Sequence, residues 1–230
     1  MKKTLILLVV AALGAGTMSS CKKSNKRKLS GEWTMASMSE TSTNTSGNPS
    51  TTTTTTISST DGAAISIVSS STAAGSATTT STGAVNSATW TIEKDGTWSM
   101  TMDVTLSGSE TGLTWSSSEA ETTTGTWSFL GKDKSADFKR NDRVVFNTLT
   151  SASTYTDSYT VTGGSTYTDN SSDSYSWATG ENQATYVITE SKKKELTLTQ
   201  DGSSTWSDTD AGGTTSGSST SMSEISLTQD

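Results

Sequence analysis

The chain predicts an all-β fold, an antiparallel meander barrel interrupted by long Ser/Thr/Gly-rich insertions, and three observations carry that expectation. Apolar residues recur with period two in short groups, turn residues separate the groups, and helical periodicity is confined to the N-terminal segment. The clearest case is Ala88 to Leu106, ATWTIEKDGTWSMTMDVTL. Trp90 and Ile92 alternate with polar residues on one arm; Trp98, Met100, Met102, Val104 and Leu106 do so on the other. Successive side chains of a strand point to opposite faces, so the alternation describes one buried and one wet face. Asp95-Gly96 between the arms supplies the positive φ angles of a tight hairpin turn.

Composition limits the size of the core. Only 30% of the 230 residues are hydrophobic, a fraction that by itself suggests disorder. Low charge (17% of residues) and seven tryptophans argue for a folded, tryptophan-rich core instead, because each indole carries a large apolar area. The formal net charge is -7, and loss of the first twenty residues, which hold Lys2 and Lys3 and no acid, makes it -9. Nucleic acid is not expected as a partner, since phosphate neutralisation needs clustered Lys and Arg and the one basic cluster, Lys22 to Lys28, lies beside the expected membrane anchor.

The N-terminus carries an address. Lys2-Lys3 is followed by an apolar run from Leu5 to Leu13, of signal-peptide length and too short to span a bilayer as a helix. Residues 1–20 are therefore expected to be removed. They end at Cys21, the only cysteine, which cannot form an internal disulfide. Met18-Ser19-Ser20-Cys21 resembles a bacterial lipobox, which implies lipid attachment at Cys21. Residues 21–30 then form the lipidated cysteine and a basic tether, Lys22 to Lys28, held near anionic headgroups. Asp does not follow the cysteine and no acidic run follows it. By resemblance to known sorting rules, that implies an outer-membrane lipoprotein on the periplasmic side.

The β domain is expected over residues 31–210. Leu29 to Met38 reads as the first strand, with Trp33 and Met35 on one face and Met38 offset by a bulge. Residues 39–87 read as a low-complexity insertion, with Ile65 to Val68 its only strand-like interruption. After the central hairpin come Leu113-Thr114-Trp115 and then Gly125 to Phe129, with a turn at Gly131 to Lys134. Arg143 to Leu149, then Tyr155, Tyr159 and Val161, mark further strands before a polar stretch from Gly163 to Asn182. Ala184 to Thr189 and Glu195 to Thr199 pair across the Lys192-Lys193-Lys194 turn. Asp201-Gly202 reads as a turn before Trp206, and residues 211–230 as a polar tail with a possible last strand around Ile225 and Leu227.

These segments resemble a known family. A lipoprotein signal and a Lys-rich tether precede Gly31-Glu32-Trp33; Trp90 to Thr97, Gly125 to Phe129, and Tyr186 through Leu198 follow. The order is similar to the lipocalin-like lipoproteins of the Bacteroidetes type. Gly31 and Trp33 match the Gly-x-Trp signature that closes a lipocalin floor, whereas the family's arginine on the last strand has no counterpart, the arginines being Arg27, Arg140 and Arg143. The resemblance implies binding of a small apolar ligand, or a structural envelope role, with the membrane reached through Cys21. A β-sandwich adhesin, or a glycan- or protein-binding module, is the alternative from another class.

Catalysis is not expected. No histidine exists, which removes Ser-His-Asp and Cys-His arrangements and every zinc site with a His ligand. The acids sit mostly in turns or polar tracts, so no catalytic residue, metal site or cofactor is assigned. Glu93-Lys94-Asp95-Gly96 lacks the flanking ligands of a calcium loop and reads as a hairpin turn. Asp169, Asn170 and Asp173 are a candidate cation loop, with an ordinary solvated loop the favoured reading. For Trp33, Trp98 and Trp127 the choice is core packing against a ligand-lining role; packing is favoured because small antiparallel domains need such residues to fold.

Overall fold

A computed structural model describes residues 29–47, 50–110, 112–132, 141–210 and 213–229. The signal segment, Cys21 and the tether lie outside the described residues. Eleven antiparallel strands form one sheet: β1 (Gly31–Ser46), β2 (Thr51–Ser59), β3 (Ala64–Ser71), β4 (Thr79–Ile92), β5 (Thr97–Glu110), β6 (Leu113–Phe129), β7 (Asp142–Val161), β8 (Thr166–Ser176), β9 (Gln183–Ser191), β10 (Glu195–Asp210) and β11 (Gly213–Thr228). Ten of them, all but β8, close into a ring through the β6–β7 pairing. The expected all-β meander barrel is what the chain forms, and a two-sheet sandwich is not.

The barrel narrows at one end. Gly31 to Thr34 of β1 pair directly with Thr89 to Ile92 of β4 and bypass the β2–β3 hairpin, so eight strands close the base. Farther up, β1 pairs with β2, β2 with β3, and β3 with β4. On the opposite wall, Asp142 to Asn147 of β7 pair with β9, and Thr150 to Thr160 pair with β8. Here the wall splits. β10 pairs with β9 only over Leu196 to Thr199, so above that level the outer edge of β8 and the edge of β10 face a slit without a described partner strand.

The core follows from alternation. Trp33 and Met35, then Trp90 and Ile92, Trp98, Met100, Met102 and Val104, Trp127, Val144, Phe146, Tyr186, Leu198 and Leu227 all point inward and are buried. Burying one such side chain contributes roughly 1.5–3 kcal/mol. The bulge expected near Met38 is present: the β1–β11 register shifts between Met35 and Ser37, which returns Met38, Glu40 and Ser42 to the inner face. At the floor, buried Leu29 packs into the core and its carbonyl accepts the Trp33 indole N–H at 2.9 Å. The floor is thus sealed by Leu29 rather than by an arginine on the last strand. At the Asp95-Gly96 turn, Asp95 Oδ1 accepts from the Thr97 amide at 2.9 Å and from the Thr97 hydroxyl at 2.7 Å, and Gly96 takes φ +100°.

Several stretches read as loops are strands. Residues 39–87, expected as a low-complexity insertion, build the upper part of β1, all of β2 and β3, and most of β4. Threonine is β-branched and suits a pleated surface even where nothing apolar is buried. On the outer wall its hydroxyls link neighbouring strands: Thr45 to Thr52 at 3.0 Å, Thr89 to Thr101 at 2.7 Å, Thr124 to Thr150 at 2.7 Å. The polar stretch 163–182 contains β8, and Leu113 through Phe129 is one strand rather than two. Asp201-Gly202, expected as a turn, lies inside β10, paired with Met222 and Ser221 of β11. The tail 211–230 holds β11, which pairs with both β1 and β10 and closes the ring, so the barrel runs past residue 210 to Thr228.

Candidate functional site

The interior is divided into three levels. At the base, aromatic and sulfur side chains fill the barrel almost completely. A chamber of about 30 Å³ remains, lined by Trp90, Trp98, Met100, Phe146, Thr148 and Tyr186 among others. That volume matches a single water and no organic molecule. The Thr148 hydroxyl on its wall is 1% exposed and has no protein hydrogen-bond partner.

Above the chamber the inner wall turns polar. Counting back from Trp127 by twos along β6 gives Gly125, Thr123, Glu121 and Glu119, all buried. Opposite them, one extra residue in β7 shifts the register between Thr124 and Gly125, after which Ser151, Ser153 and Tyr155 stand beside Thr123, Glu121 and Glu119. Glu121 Oε1 accepts from the Thr123 hydroxyl at 2.8 Å and the Ser151 hydroxyl at 2.9 Å. Ser153 donates to the Tyr155 hydroxyl at 2.9 Å, and Tyr155 hydrogen-bonds to the Glu119 carboxylate. Glu119 Oε1 has no protein partner, although the residue is only 6% exposed.

No lysine or arginine is buried with these carboxylates among the described residues. Burial therefore dominates their protonation, since an unpaired charge is disfavoured away from water. Burial pushes Glu119 up to about 7; the Glu121 and Asp157 charges act in the same direction, and the Tyr155 hydrogen bond opposes them. Glu40, on β1, is raised by burial too, and its charge adds to the burial that raises Tyr186. Near neutral pH, Glu119 exchanges a proton while holding one oxygen without a protein partner. Such a group offers a hydrogen bond in either direction, as acceptor when ionised and as donor when protonated.

At the rim, aromatic residues sit in register across three strands: Trp115 beside Tyr159, and Tyr159 beside Tyr167. The Tyr159 and Tyr167 rings stack with centroids 5.1 Å apart at 17°, and Tyr167 is 53% exposed. Trp115 lies over Gly108, where an added Cβ would come within 2.6 Å of the indole. On the outer wall, a groove of about 370 Å³ lies over the β6–β7 bulge and is lined mainly by threonines and Leu149.

The sequence-derived candidates fall as follows. Cys21 is outside the described residues. Trp33, Trp98 and Trp127 are packed in the core, each with its indole N–H given to a backbone carbonyl, of Leu29, Asn147 and Glu93 respectively. Asp169 and Asn170 are neighbours on β8 and point to opposite faces, and the Asn170 amide oxygen is taken by Thr156 at 2.9 Å. Among the described residues no group of three or more metal-ligating side chains is assembled. Glu40, Glu119 and Glu121 were not singled out from sequence; the period-two spacing back from Trp127 is the signal that could have found the last two. No family model, curated protein or solved structure matches this chain.

Proposed function

We propose that the chain is a membrane-anchored, lipocalin-like barrel lipoprotein of the outer membrane that holds a small ligand in the upper half of its barrel and carries out no catalysis. The observation that carries this reading is the division of the interior. The apolar base has room for about one water. Above it stand buried carboxyls and hydroxyls, an exposed aromatic rim and a wall that opens between β8 and β10. A wholly apolar cargo in the base, the usual lipocalin arrangement, has no space there. The ligand chemistry that suits the upper half combines an apolar part, for the tyrosine rim, with hydrogen-bonding groups for Glu119 and its neighbours.

The filled base also favours a second reading, in which the barrel is a structural component of the envelope. Native mass spectrometry of the processed protein taken from its own envelope separates the two. A co-purifying small molecule that is lost on Glu119→Gln or Tyr167→Ala substitution is the expected result. A protein released without any adduct supports the structural role. Attachment is tested separately: a palmitate analogue labels the wild-type chain and fails to label Cys21→Ser.

A further inference from the structure

The polar band on β6 and β7 continues onto β8, where it becomes an open, acidic and aromatic face. Tyr155 and Ser153 stand beside Glu119 and Glu121 of β6. On the other side of β7, Ser171 lies opposite Tyr155, Asp173 opposite Ser153, and Asp169 opposite Asp157. Residues opposite one another on paired strands share a face, so the carboxyls of Glu119, Glu121, Asp157, Asp169 and Asp173 all belong to the same side of the wall. Asp157, Asp169 and Asp173 are exposed beside the slit between β8 and β10. Of the eleven strands only β7 contains a base, Arg143, and it stands at the far end of that strand, opposite Val187.

Like charges directly opposite on an antiparallel pair repel, and Asp157 and Asp169 are such a pair. Burial raises Glu119, and the Glu121 and Asp157 charges add to it; burial likewise raises Tyr155, with the Glu119 and Asp173 charges adding there. The carboxyls therefore act on one another across the three strands. Within this face Glu119, only 6% exposed, keeps Oε1 without a protein partner. Aromatic stacks stand at both ends of the acidic rows. Tyr159 and Tyr167 lie beyond Asp157 and Asp169 with centroids 5.1 Å apart, and Tyr175 stacks on Trp177 at 5.8 Å beyond Asp173.

We propose that this face of β6, β7 and β8 binds a linear organic polyamine, whose ammonium groups pair with Glu119, Asp157, Asp169 and Asp173 and whose chain ends lie on the tyrosine stacks. Each part of the face answers to that chemistry. An ammonium group donates to the free Glu119 oxygen and offsets the repulsion between Asp157 and Asp169, which a neutral sugar leaves in place. Exposed aromatic rings attract cations over their faces. From Asp169 to Asp173 the acids extend over about 13 Å of strand, a spread that suits several ammonium groups on one flexible chain rather than a single compact ion. The proposal rests on the reading that the upper half of the barrel holds a small ligand, and it names the class of that ligand.

Titration calorimetry on the processed chain in non-ionic detergent tests it, with spermine as the probe at physiological ionic strength, where long-range attraction is screened. Spermine is expected to bind, and tetraethylene glycol, an uncharged chain, is not. Asp157→Asn combined with Asp169→Asn should weaken spermine about ten-fold or more. Both positions are exposed, so the urea midpoint of that variant should equal or exceed the wild-type value. Tyr167→Ala should weaken binding several-fold, whereas Glu32→Gln, an exposed acid at the base, should leave it unchanged. Equal losses for Glu32→Gln and the double variant would reduce the effect to net charge and overturn the site. Tighter binding of tetralysine than of spermine, or binding of a neutral glucan oligosaccharide in its place, also overturns it. A co-purifying adduct without a basic nitrogen, lost on Glu119→Gln, would overturn the polyamine and leave the ligand-holding reading standing; if no probe binds and no adduct is carried, both fall.

Discussion

The Trp98 indole N–H reaches across β6 to the Asn147 backbone carbonyl at 3.3 Å, and it does so over Gly125. A side chain at Gly125 would collide with that carbonyl and lie 2.8 Å from Trp98 Nε1. The same glycine sits at the register shift that turns Ser151, Ser153 and Tyr155 inward. One residue therefore serves both the packed base and the polar band above it.

Gly125→Ala is expected to cost about 2–4 kcal/mol, because the core cannot accept a methyl there without moving the indole or the backbone. Urea unfolding followed by tryptophan fluorescence measures it. A loss below about 0.5 kcal/mol, the usual range for surface changes, would show that the close approach is relaxed in solution.

Stability should fall as pH rises through the range set by Glu119. Its carboxyl is raised from 4.5 to about 7 in the folded protein. Between those values the folded state binds more protons than the unfolded state, so the folding free energy weakens with rising pH. The contribution is fully present below about pH 4.5 and gone above about pH 7, a loss of the order of 3 kcal/mol. Glu40 adds in the same direction. Denaturant midpoints at pH 5 and pH 8 should differ in the wild type, and Glu119→Gln should raise the midpoint at pH 8 and flatten the profile.

Thr148→Val is expected to stabilise the protein by about 1 kcal/mol. The hydroxyl is buried against the small chamber and has no protein partner. Replacing it with a methyl of similar size removes an unpaired polar group from the core. A thermal midpoint lower than wild type would indicate that a bound water satisfies the hydroxyl.

Trp33→Ala should be the most damaging of the single truncations considered, at about 3–5 kcal/mol. It empties the floor and strands the Leu29 carbonyl that the indole now satisfies. Leu29→Ala, which removes apolar contact and keeps the backbone hydrogen bond, should cost less, about 2–4 kcal/mol. Measuring both separates sealing by volume from sealing by the hydrogen bond.

Much of the base was legible in the chain itself. From Trp90 to Val104 the alternation of large apolar and polar residues named the buried face residue by residue, and the Asp95-Gly96 turn and the bulge before Met38 stand where local chemistry put them. These features depend on neighbours in sequence: a pleat of period two, a turn needing positive φ, and side chains whose burial outweighs every alternative.

Only the tertiary structure decided the upper half. Nothing local distinguishes Thr51 to Ser59 from a loop; it is a strand because β1 and β3 supply its hydrogen bonds and outer-face threonines meet across the gap. The final tail becomes β11 because β1 and β10 leave a place for it. Glu119 and Glu121 face inward through a parity inherited from Trp127, and the bulge in β7 brings hydroxyls to meet them. The sequence by itself determined which residues of the base are buried, because burial of large apolar groups is decided locally by periodicity. Which polar strands pair and which acids turn inward were settled by register and closure, which join segments far apart in the chain.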